Sequence, residues 1–297
     1  MIVLVANLGS TSFKYKLFDI TSDGENVLAQ GSADRIGQDR SSWAIEPTAG
    51  EKREGETALA DHGAAIELHL RELTVARVIA SIDALEAIGF KAVHGGPISG
   101  AVRIDDQVLD TMERFADVAP AHNPPYIAAM RAFAEKLPGV PQVAAFETGF
   151  HQTIPPARQT YAIPYEWTEL GVRRYGFHGA SHRYIATRMA EIAPGARKLI
   201  SCHLGGSSSI SAIRDGASMA NSFGMTAQSG LPHAARVGDF DTFALLKLHK
   251  AGIDDETIWR RLSKEGGLLG ISGVSQDVRD IKQAADDGHE RARLALD

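Results

Sequence analysis

The sequence predicts a mixed α/β protein made of two similar domains, and three observations support this prediction. Short apolar strands alternate with segments of helical periodicity throughout the 297 residues. A segment at residues 6–19 recurs without gaps at residues 202–215. The length suits two domains of ordinary size. Together they favour a duplicated α/β fold.

The first part of the chain begins with a strand–turn–strand pattern. Residues 1–6 form an apolar run, residues 7–12 a polar turn, and residues 13–20 a strand of alternating character. Residues 21–60 are polar and punctuated by glycine, which predicts weak strands. Residues 61–90 have helical periodicity with charge on one face, which predicts a helix.

Turn signals then divide the chain into shorter pieces. A short strand is predicted at residues 91–100, where it runs into the glycine-rich sequence VHGGPISG. The prolines of PAHNPP, at residues 120–125, predict a rigid break before a helix at about 126–136. Another buried strand is predicted at residues 140–146.

We place a domain boundary near residue 150, because ETGFHQT and two adjacent prolines follow this last strand. The predicted domains are residues 1–150 and 151–297. In the second domain, residues 198–201 predict a strand. Helices are predicted at residues 182–196, 242–265 and 277–297.

The internal repeat aligns ANLGSTSFKYKLFD with CHLGGSSSISAIRD. Each copy has a polar residue, Leu-Gly, a run of small residues, and an alternating strand that ends in Asp. The pattern predicts one hairpin in each domain. Hairpins in general share Gly and Ser turns, but the match of Leu-Gly and the terminal Asp favours duplication.

Composition excludes several classes of protein. Hydrophobic residues make up 44%, and the formal net charge is -6. These values exclude a disordered chain and argue against a nucleic-acid or membrane-surface binder, which would concentrate Lys and Arg. The single cysteine excludes an intrachain disulfide and a Cys-rich zinc site, and it suits a reducing cytoplasm. The N-terminal run is predicted to be a strand rather than a signal peptide, and no apolar stretch approaches the ~20 residues that span a bilayer.

The repeated turns suit an anionic ligand. Small residues let backbone N–H groups approach an anion closely, and Lys14 shares a strand face with Ser12. Two such turns facing each other would clamp a polyphosphate. The sequence contains neither G-x-x-x-x-G-K-[ST] nor G-x-G-x-x-G, so any nucleotide site would use a different architecture.

Four further constellations carry polar groups in apolar surroundings. Each has a structural interpretation: His178 and His182 have the i, i+4 spacing of a metal pair but no third ligand, Glu147 could cap a helix, and Arg236 could pair with Asp239. Taken together, these segments supply the cations, the carboxylate and the neutral donor that transfer of a phosphoryl group to an anionic acceptor requires. The constellations are Lys91 with His94-Gly95-Gly96, Glu147 with His151, RRYGFHGASH at residues 173–182, and HAARVGDFD at residues 233–241.

These segments resemble the successive motifs of acetate kinases, the acetokinase family of the sugar kinase/Hsp70/actin superfamily. The matching segments are NLGSTSFK, VHGGPISGAVRIDD, APAHNPP, FETGFHQTIP, RRYGFHGASH, HLGGSSSI, RVGDFD and GISGVSQDVRD. The resemblance implies a duplicated actin-like (ribonuclease H-like) fold with mixed sheets. It also implies reversible phosphoryl transfer from ATP to a short carboxylate with Mg²⁺, and a homodimer.

The resemblance assigns roles residue by residue. Catalytic roles fall on Glu147, His178 and Arg236, the substrate side on Lys91 and His122, and a metal role on Asn7. The implied phosphate and nucleotide contacts are Ser10, Ser12, Lys14, His203, Leu204, Gly205, Gly206, Ser207, Asp277, Val278 and Arg279.

Three of these positions depart from the family pattern. Lys91 stands where the family has Arg, Glu147 where it has Asp, and Gly206 where it has Asn. Lys offers a point charge instead of a bidentate fork, and Glu places its carboxylate about one methylene further out. The departures leave two alternatives open: a binding homologue with impaired catalysis, or a propionate or butyrate kinase. Family members also continue beyond this length, so the resemblance implies a truncated chain with an incomplete second domain.

Overall fold

A computed structural model describes residues 1–9, 11–98, 100–119 and 122–297. The chain forms two compact units, Met1–Gly149 and Phe150–Asp297. The predicted boundary near residue 150 lies at this junction.

The first unit is built on a mixed sheet, which in the described residues has eight strands in the order β5-β4-β3-β2-β1-β6-β8-β7. β1, β6 and β8 run parallel, and the other neighbouring strands pair antiparallel. The strands are β1 (Ile2–Gly9), β2 (Ser12–Thr21), β3 (Gly24–Asp34), β4 (Ser41–Pro47), β5 (Arg53–Thr57), β6 (Ala87–Ala92), β7 (Ala101–Arg103) and β8 (Gln142–Phe146).

Helices cover one face of this sheet. Leu8, Phe13 and Leu17 of the first two strands pack with Ile66 and Phe133 of the first and third helices in a continuous core. Burial of such side chains is the main stabilising contribution to the unit. The helices are α1 (His62–Val75), α2 (Asp106–Arg114) and α3 (Asn123–Lys136).

The predicted helix over residues 61–90 was wrong in its second half. α1 begins at its N-cap Asp61 but ends at Val75, and Arg77 takes a left-handed conformation (φ 56°) that no helix continues. Residues 87–92 instead form β6, because their alternating burial fits a strand beside β1. The strand predicted at 91–100 therefore begins earlier.

The second unit contains a small antiparallel sheet, three-stranded in the described residues, in the order β11-β10-β9. α5 begins at Gly179, three residues earlier than predicted, directly after His178. The strands are β9 (Lys198–Leu204), β10 (Ser208–Arg214) and β11 (Ala217–Asn221). The helices are α4 (Pro156–Gln159), α5 (Gly179–Ile192), α6 (Ala244–Lys250), α7 (Asp255–Lys264), α8 (Gly267–Ser272), α9 (Val278–Asp286) and α10 (Glu290–Leu296).

Both copies of the repeat form hairpins, β1–β2 and β9–β10, but their turns differ by one residue. In the first, Gly9 pairs with Ser12, which leaves two residues between them. In the second, Leu204 pairs with Ser208, which leaves three residues between them. The gapless alignment of the sequences therefore does not hold for strand pairing.

Because of this difference, aligned positions of β1 and β9 face opposite sides of their sheets. A one-residue shift of register moves every side chain to the other face of a strand. Leu8 is buried with 4% exposure, whereas its aligned counterpart Leu204 is 74% exposed. Asn7 is exposed, whereas its counterpart His203 pairs opposite the buried Ser209.

Candidate functional site

In the first unit, the carboxyl ends of three parallel strands bring predicted site residues to one edge of the sheet. Asn7 lies near the end of β1, Lys91 near the end of β6, and Glu147 directly after β8. Ligands of open α/β sheets bind at such carboxyl ends. The topology therefore assembles residues that are far apart in sequence.

Lys91 and Glu147 form an ion pair, with Nζ 2.6 Å from Oε1. The Glu147 side chain is only 7% exposed, whereas that of Lys91 is 49% exposed. A buried carboxylate needs such a partner, because an unpaired charge would be costly to desolvate. Lys91 and Glu147 thus form a matched pair of opposite charges.

An open groove of about 460 Å³ runs along the uncovered face of the first sheet. Its cationic lining consists of Lys14, Lys16 and Lys91, with Asn7 beside them. Asn7 pairs directly with Lys14 across β1 and β2, and Ser12 is on the same face of β2 as Lys14. Ser10, also predicted to bind phosphate, lies outside the described residues. The lining also includes one carboxylate, Glu46, so three lysines outnumber it and the groove attracts an anion.

The VHGG turn after β6 is held by a network of hydrogen bonds. The buried His94 accepts from the Gly96 N–H through Nδ1, and the Asn123 side chain donates to the His94 carbonyl at 3.0 Å. Gly96 has φ 56°, and a Cβ there would lie 2.3 Å from the Phe115 ring, so only glycine fits. His122 is the N-cap residue of α3 beside this turn.

In the second unit, a buried histidine–serine network surrounds His178. His178 itself has a left-handed backbone (φ 56°), a conformation that often marks functional sites in non-glycine residues. The fully buried Ser209 hydroxyl lies 2.9 Å from His178 Nδ1 and 2.8 Å from His182 Nε2. His182 Nδ1 meets Ser201 at 2.8 Å. Ser209 thereby couples the orientations of the two imidazoles.

Burial keeps His182 neutral. It lowers the pKa of His182 to about 4, with a smaller contribution from His203. The His203 ring stacks on His178, with centroids 3.9 Å apart, and its Nδ1 lies 3.0 Å from the Ser181 hydroxyl. The structure thus places two sequence-predicted residues, His178 and His203, in direct contact.

The second hairpin turn is held by the segment 233–236. His233 Nδ1 accepts from the Ser208 N–H at 2.9 Å, and Ala234 donates to the Gly206 carbonyl at 3.0 Å. Arg236 Nη1 lies 3.2 Å from the Ser207 hydroxyl. Burial lowers the pKa of Arg236, but a guanidinium stays charged at any working pH. A cation therefore sits against the predicted phosphate turn.

Other predicted residues have structural partners. Asp277 is the N-cap of α9: it accepts from the Arg279 N–H at 2.8 Å, and its carboxylate pairs with the Arg279 guanidinium. This pairing and the cap lower the pKa of Asp277 to about 2. Val278 is 52% exposed at the first helical position, and Leu204 lies on the exposed face of β9. Among the described residues, no side-chain hydrogen bond joins Asp277, Val278 or Arg279 to the His178 network.

Four residues of these sites were missed by the sequence analysis: Tyr126, which contacts Asn7, and Lys16, Ser209 and His233. Lys16 could have been found, because it is two residues from Lys14 and shares its strand face. The other three depend on tertiary contacts that no local pattern encodes.

Comparison with known proteins decides the family. The family model described as the Acetokinase family matches residues 2–297. The chain belongs to the acetokinase family. It is 42% identical to the acetate kinase of Geobacillus kaustophilus (strain HTA426) over 302 residues, covering 99% of this chain and 75% of the relative. It is 43% identical to that of Dictyoglomus thermophilum (strain ATCC 35947 / DSM 3960 / H-6-12) over 304 residues, covering 100% and 76%.

Solved structures agree with this assignment. The Porphyromonas gingivalis acetate kinase superposes with a TM-score of 0.88 at 39% identity, covering 99% of this chain and 75% of that one. A propionate kinase from Francisella tularensis subsp. tularensis SCHU S4 superposes with a TM-score of 0.89 at 33% identity, covering 99% and 76%. The predicted α/β fold of the actin-like class is thereby confirmed.

Among the described residues, no group of three or more His, Cys, Asp or Glu side chains lies close enough to hold a metal ion. No helix in the described part of the chain has the length and apolar character needed to cross a membrane.

Proposed function

We propose that this protein transfers the γ-phosphoryl group of ATP to acetate or a similar short carboxylate, giving ADP and an acyl phosphate, and that it catalyses the reverse reaction. The observation that carries this proposal is the set of cations and neutral donors in the described sites, combined with membership of the acetokinase family. Phosphoryl transfer depends on positioning and on neutralising charge rather than on covalent catalysis.

On the first unit, Lys14 and Lys91 supply positive charge to the phosphate and carboxylate groups. Asn7 and Ser12 add neutral donors, and the predicted Ser10 completes that set. His122 flanks the substrate side. The attacking carboxylate is already ionised at neutral pH, so Glu147 does not need to act as a general base. Its proposed role is to orient Lys91 and the ligand.

On the second unit, Arg236 neutralises charge on the transferring phosphoryl group, because its guanidinium is half-buried and already placed by Ser207. His178 donates a hydrogen bond to an equatorial oxygen, with its ring oriented by Ser209. The turn His203–Ser207 holds phosphate. Asp277, Val278 and Arg279 are proposed to contact the nucleotide through the start of α9.

The oxygen atoms at the edge of the first sheet are also suitable ligands for Mg²⁺. Proteins usually bind Mg²⁺ through one or two carboxylates together with substrate phosphates, rather than through a complete protein cage. The described residues fit this mode, because Glu147 places a carboxylate at the same edge of the first sheet as the Asn7 amide. Glu147 and Asn7 are the residues predicted to meet the ion, which when bound would neutralise phosphate charge.

The test is an acyl-phosphate assay in both directions with acetate, propionate and butyrate. We expect turnover by the wild type and a loss of about 100-fold or more in Arg236→Ala, the size typical of removing a charge-stabilising group. Arg188→Ala, on the exposed side of α5, is the matched control and should keep full activity. Wild-type turnover no greater than that of Arg236→Ala would refute the proposal.

The second candidate is a nucleotide- or acyl-phosphate-binding homologue without useful turnover. The ion pair between Lys91 and Glu147 favours it, because each charge already has a partner. Calorimetry distinguishes the two: ATP binding without phosphoryl transfer supports this alternative. The choice among acetate, propionate and butyrate is decided by the relative kcat/KM values in the same assay.

We also propose a cytoplasmic homodimer. The single cysteine suits a reducing compartment. Light scattering tests the assembly, and a monomer at micromolar concentration would refute it.

A further inference from the structure

Tyr126 is a buried aromatic residue whose hydroxyl reaches Asn7. It lies on α3, is 1% exposed, and its ring packs edge-on against Phe90. Its hydroxyl oxygen lies 3.0 Å from Asn7 Oδ1 and 3.1 Å from the Leu8 backbone nitrogen. Tyr126 thus connects the helix layer to the end of β1.

The direction of these hydrogen bonds follows from chemistry. The Leu8 N–H can only donate, so the phenol oxygen accepts from it. The phenol proton then needs an acceptor, because an unsatisfied buried hydroxyl is costly, and Asn7 is its other neighbour. The Asn7 atom that faces Tyr126 must therefore be the carbonyl Oδ1.

The same arrangement leaves the Asn7 Nδ2 group on the other side of the carboxamide. Asn7 is exposed and lines the groove with Lys14 and Lys91. Within the described residues no hydrogen bond engages Nδ2. A phenol keeps its proton at neutral pH, because its ordinary pKa is about 10.

We propose that Tyr126 is a positioning residue that turns Asn7 so that its amide N–H₂, not its carbonyl oxygen, meets the ligand. Asn7 then joins Lys14 and Lys91 as a donor to a phosphate oxygen. This inference rests on the proposed function for the source of the phosphate, which is ATP or an acyl phosphate. It revises the metal role predicted for Asn7, because a buried hydroxyl already engages one of the two lone pairs of Oδ1, whereas the donor Nδ2 lies on the opposite side of the carboxamide.

The direct test observes the Asn7 side-chain amide by NMR in protein labelled with ¹⁵N-asparagine. Its signal is identified by its loss in Asn7→Asp. We expect this signal to shift when ATP or acetyl phosphate is added in EDTA, and to stay in place with Mg²⁺ alone. A signal unmoved at saturating ATP, or moved by Mg²⁺ alone, overturns the inference. The two phosphate compounds, titrated separately, distinguish the sources.

Asn7→Asp separates the two roles by binding. It replaces the amide N–H₂ with a negatively charged oxygen of similar size, so a phosphate donor is lost whereas a metal ligand is strengthened. We expect ATP in EDTA to bind at least about tenfold more weakly, because a hydrogen bond to a charged group is lost and a negative charge is added beside the phosphate. Unchanged ATP affinity together with tighter Mn²⁺ binding would overturn the inference.

Tyr126→Phe removes only the hydroxyl that orients Asn7. We expect the Asn7 amide signal to broaden or split and ATP affinity to fall about threefold, less than in Asn7→Asp, because the donor itself remains. Tyr184→Phe, with a 65% exposed tyrosine on α5, is the control. An Asn7 signal unchanged in folded Tyr126→Phe would overturn the positioning role. Acyl-phosphate turnover is measured on the same samples. If ATP shifts the Asn7 signal but the wild-type protein shows no turnover, the proposed function is refuted and this inference still holds.

Discussion

The two hairpins of the repeat share a sequence pattern but differ in what surrounds them. β1–β2 lies within the large sheet of the first unit, where Leu8 and Phe13 pack under α1 and α3. In β9–β10 the position equivalent to Phe13 is the buried Ser209, which contacts two histidines. One hairpin thus contributes to an apolar core, and the other to a polar network.

The cause is the turn length together with the residues of the second strand. The extra residue in the second turn places Leu204 outward and His203 inward, the reverse of Leu8 and Asn7. As a result, the first unit offers an asparagine and lysines on an open sheet face, whereas the second offers stacked imidazoles. A duplicated motif therefore carries different chemistry in its two copies.

The largest expected effect separates Leu8 from Leu204. Leu8→Ala should lower the free energy of unfolding by about 2–5 kcal/mol, because it opens a cavity in a packed core. Leu204→Ala should change it by less than about 0.5 kcal/mol, because that side chain is already in solvent. Urea denaturation of the two variants checks this, and equal losses would contradict the difference in register.

The acid sensitivity of both units should come from buried histidines. Burial lowers the pKa of His69 in the first unit and of His182 in the second to about 4, from an ordinary 6.5. As the pH falls, these histidines are protonated in the unfolded chain near pH 6.5, before they are protonated in the folded protein near pH 4. Their contribution to the free energy of unfolding is therefore most favourable above pH 6.5 and decreases as the pH falls towards 4. Each histidine can account for up to about 3 kcal/mol.

Thermal denaturation between pH 7 and pH 4 measures this effect. His182→Gln should flatten the dependence of the melting temperature on pH, whereas Gln107→Ala, which replaces an exposed uncharged side chain on α2, should leave it unchanged. A dependence as steep in His182→Gln as in the wild type would count against the account of His182.

Ser209→Ala should affect both stability and catalysis. It leaves ring nitrogens of His178 and His182 without their shared hydroxyl, at a cost of about 1–3 kcal/mol for a buried unsatisfied group. We also expect kcat to fall with little change in KM for ATP, because the ring of His178 loses its orientation. Ser263→Ala, a half-buried serine on α7 whose hydroxyl donates to a carbonyl of its own helix, is the control. A pH profile of kcat identical to that of the wild type would argue for a purely structural role.

The smallest expected effect concerns Asp277. Asp277→Ala should lower the melting temperature slightly through loss of the N-cap of α9, and Asp277→Asn should restore it, because Asn caps equally well. ATP affinity adds a second readout. If Asp277 only caps the helix, Asp277→Asn will bind ATP like the wild type, and a clear loss would instead support the predicted nucleotide contact.

The sequence predicted both hairpins and a helix that ends at Lys136, because these depend on local patterns of small residues, prolines and alternation. It placed the start of that helix too late: α3 begins at Asn123, so the two prolines of PAHNPP lie in its first turn, and residues 120–121 of the predicted break lie outside the described residues. It could not predict that α1 ends at Val75, since the apolar residues of β6 fit helical periodicity until a neighbouring strand is known. The pairing of Lys91 with Glu147 depends on the order of parallel strands. The coupling of Ser209 to His178 and of Tyr126 to Asn7 depends on contacts between distant segments.

The most direct test of the difference between the hairpins is the reactivity of Cys202, the single cysteine of the chain, which the structure places on the exposed face of β9. In the native protein, DTNB should label Cys202 about as fast as in the unfolded protein. In the double variant Cys202→Ser, Ser201→Cys, the thiol moves to the buried face and should be protected until the protein unfolds. Protection of Cys202, or rapid labelling at position 201, would contradict the one-residue difference in register on which this account depends.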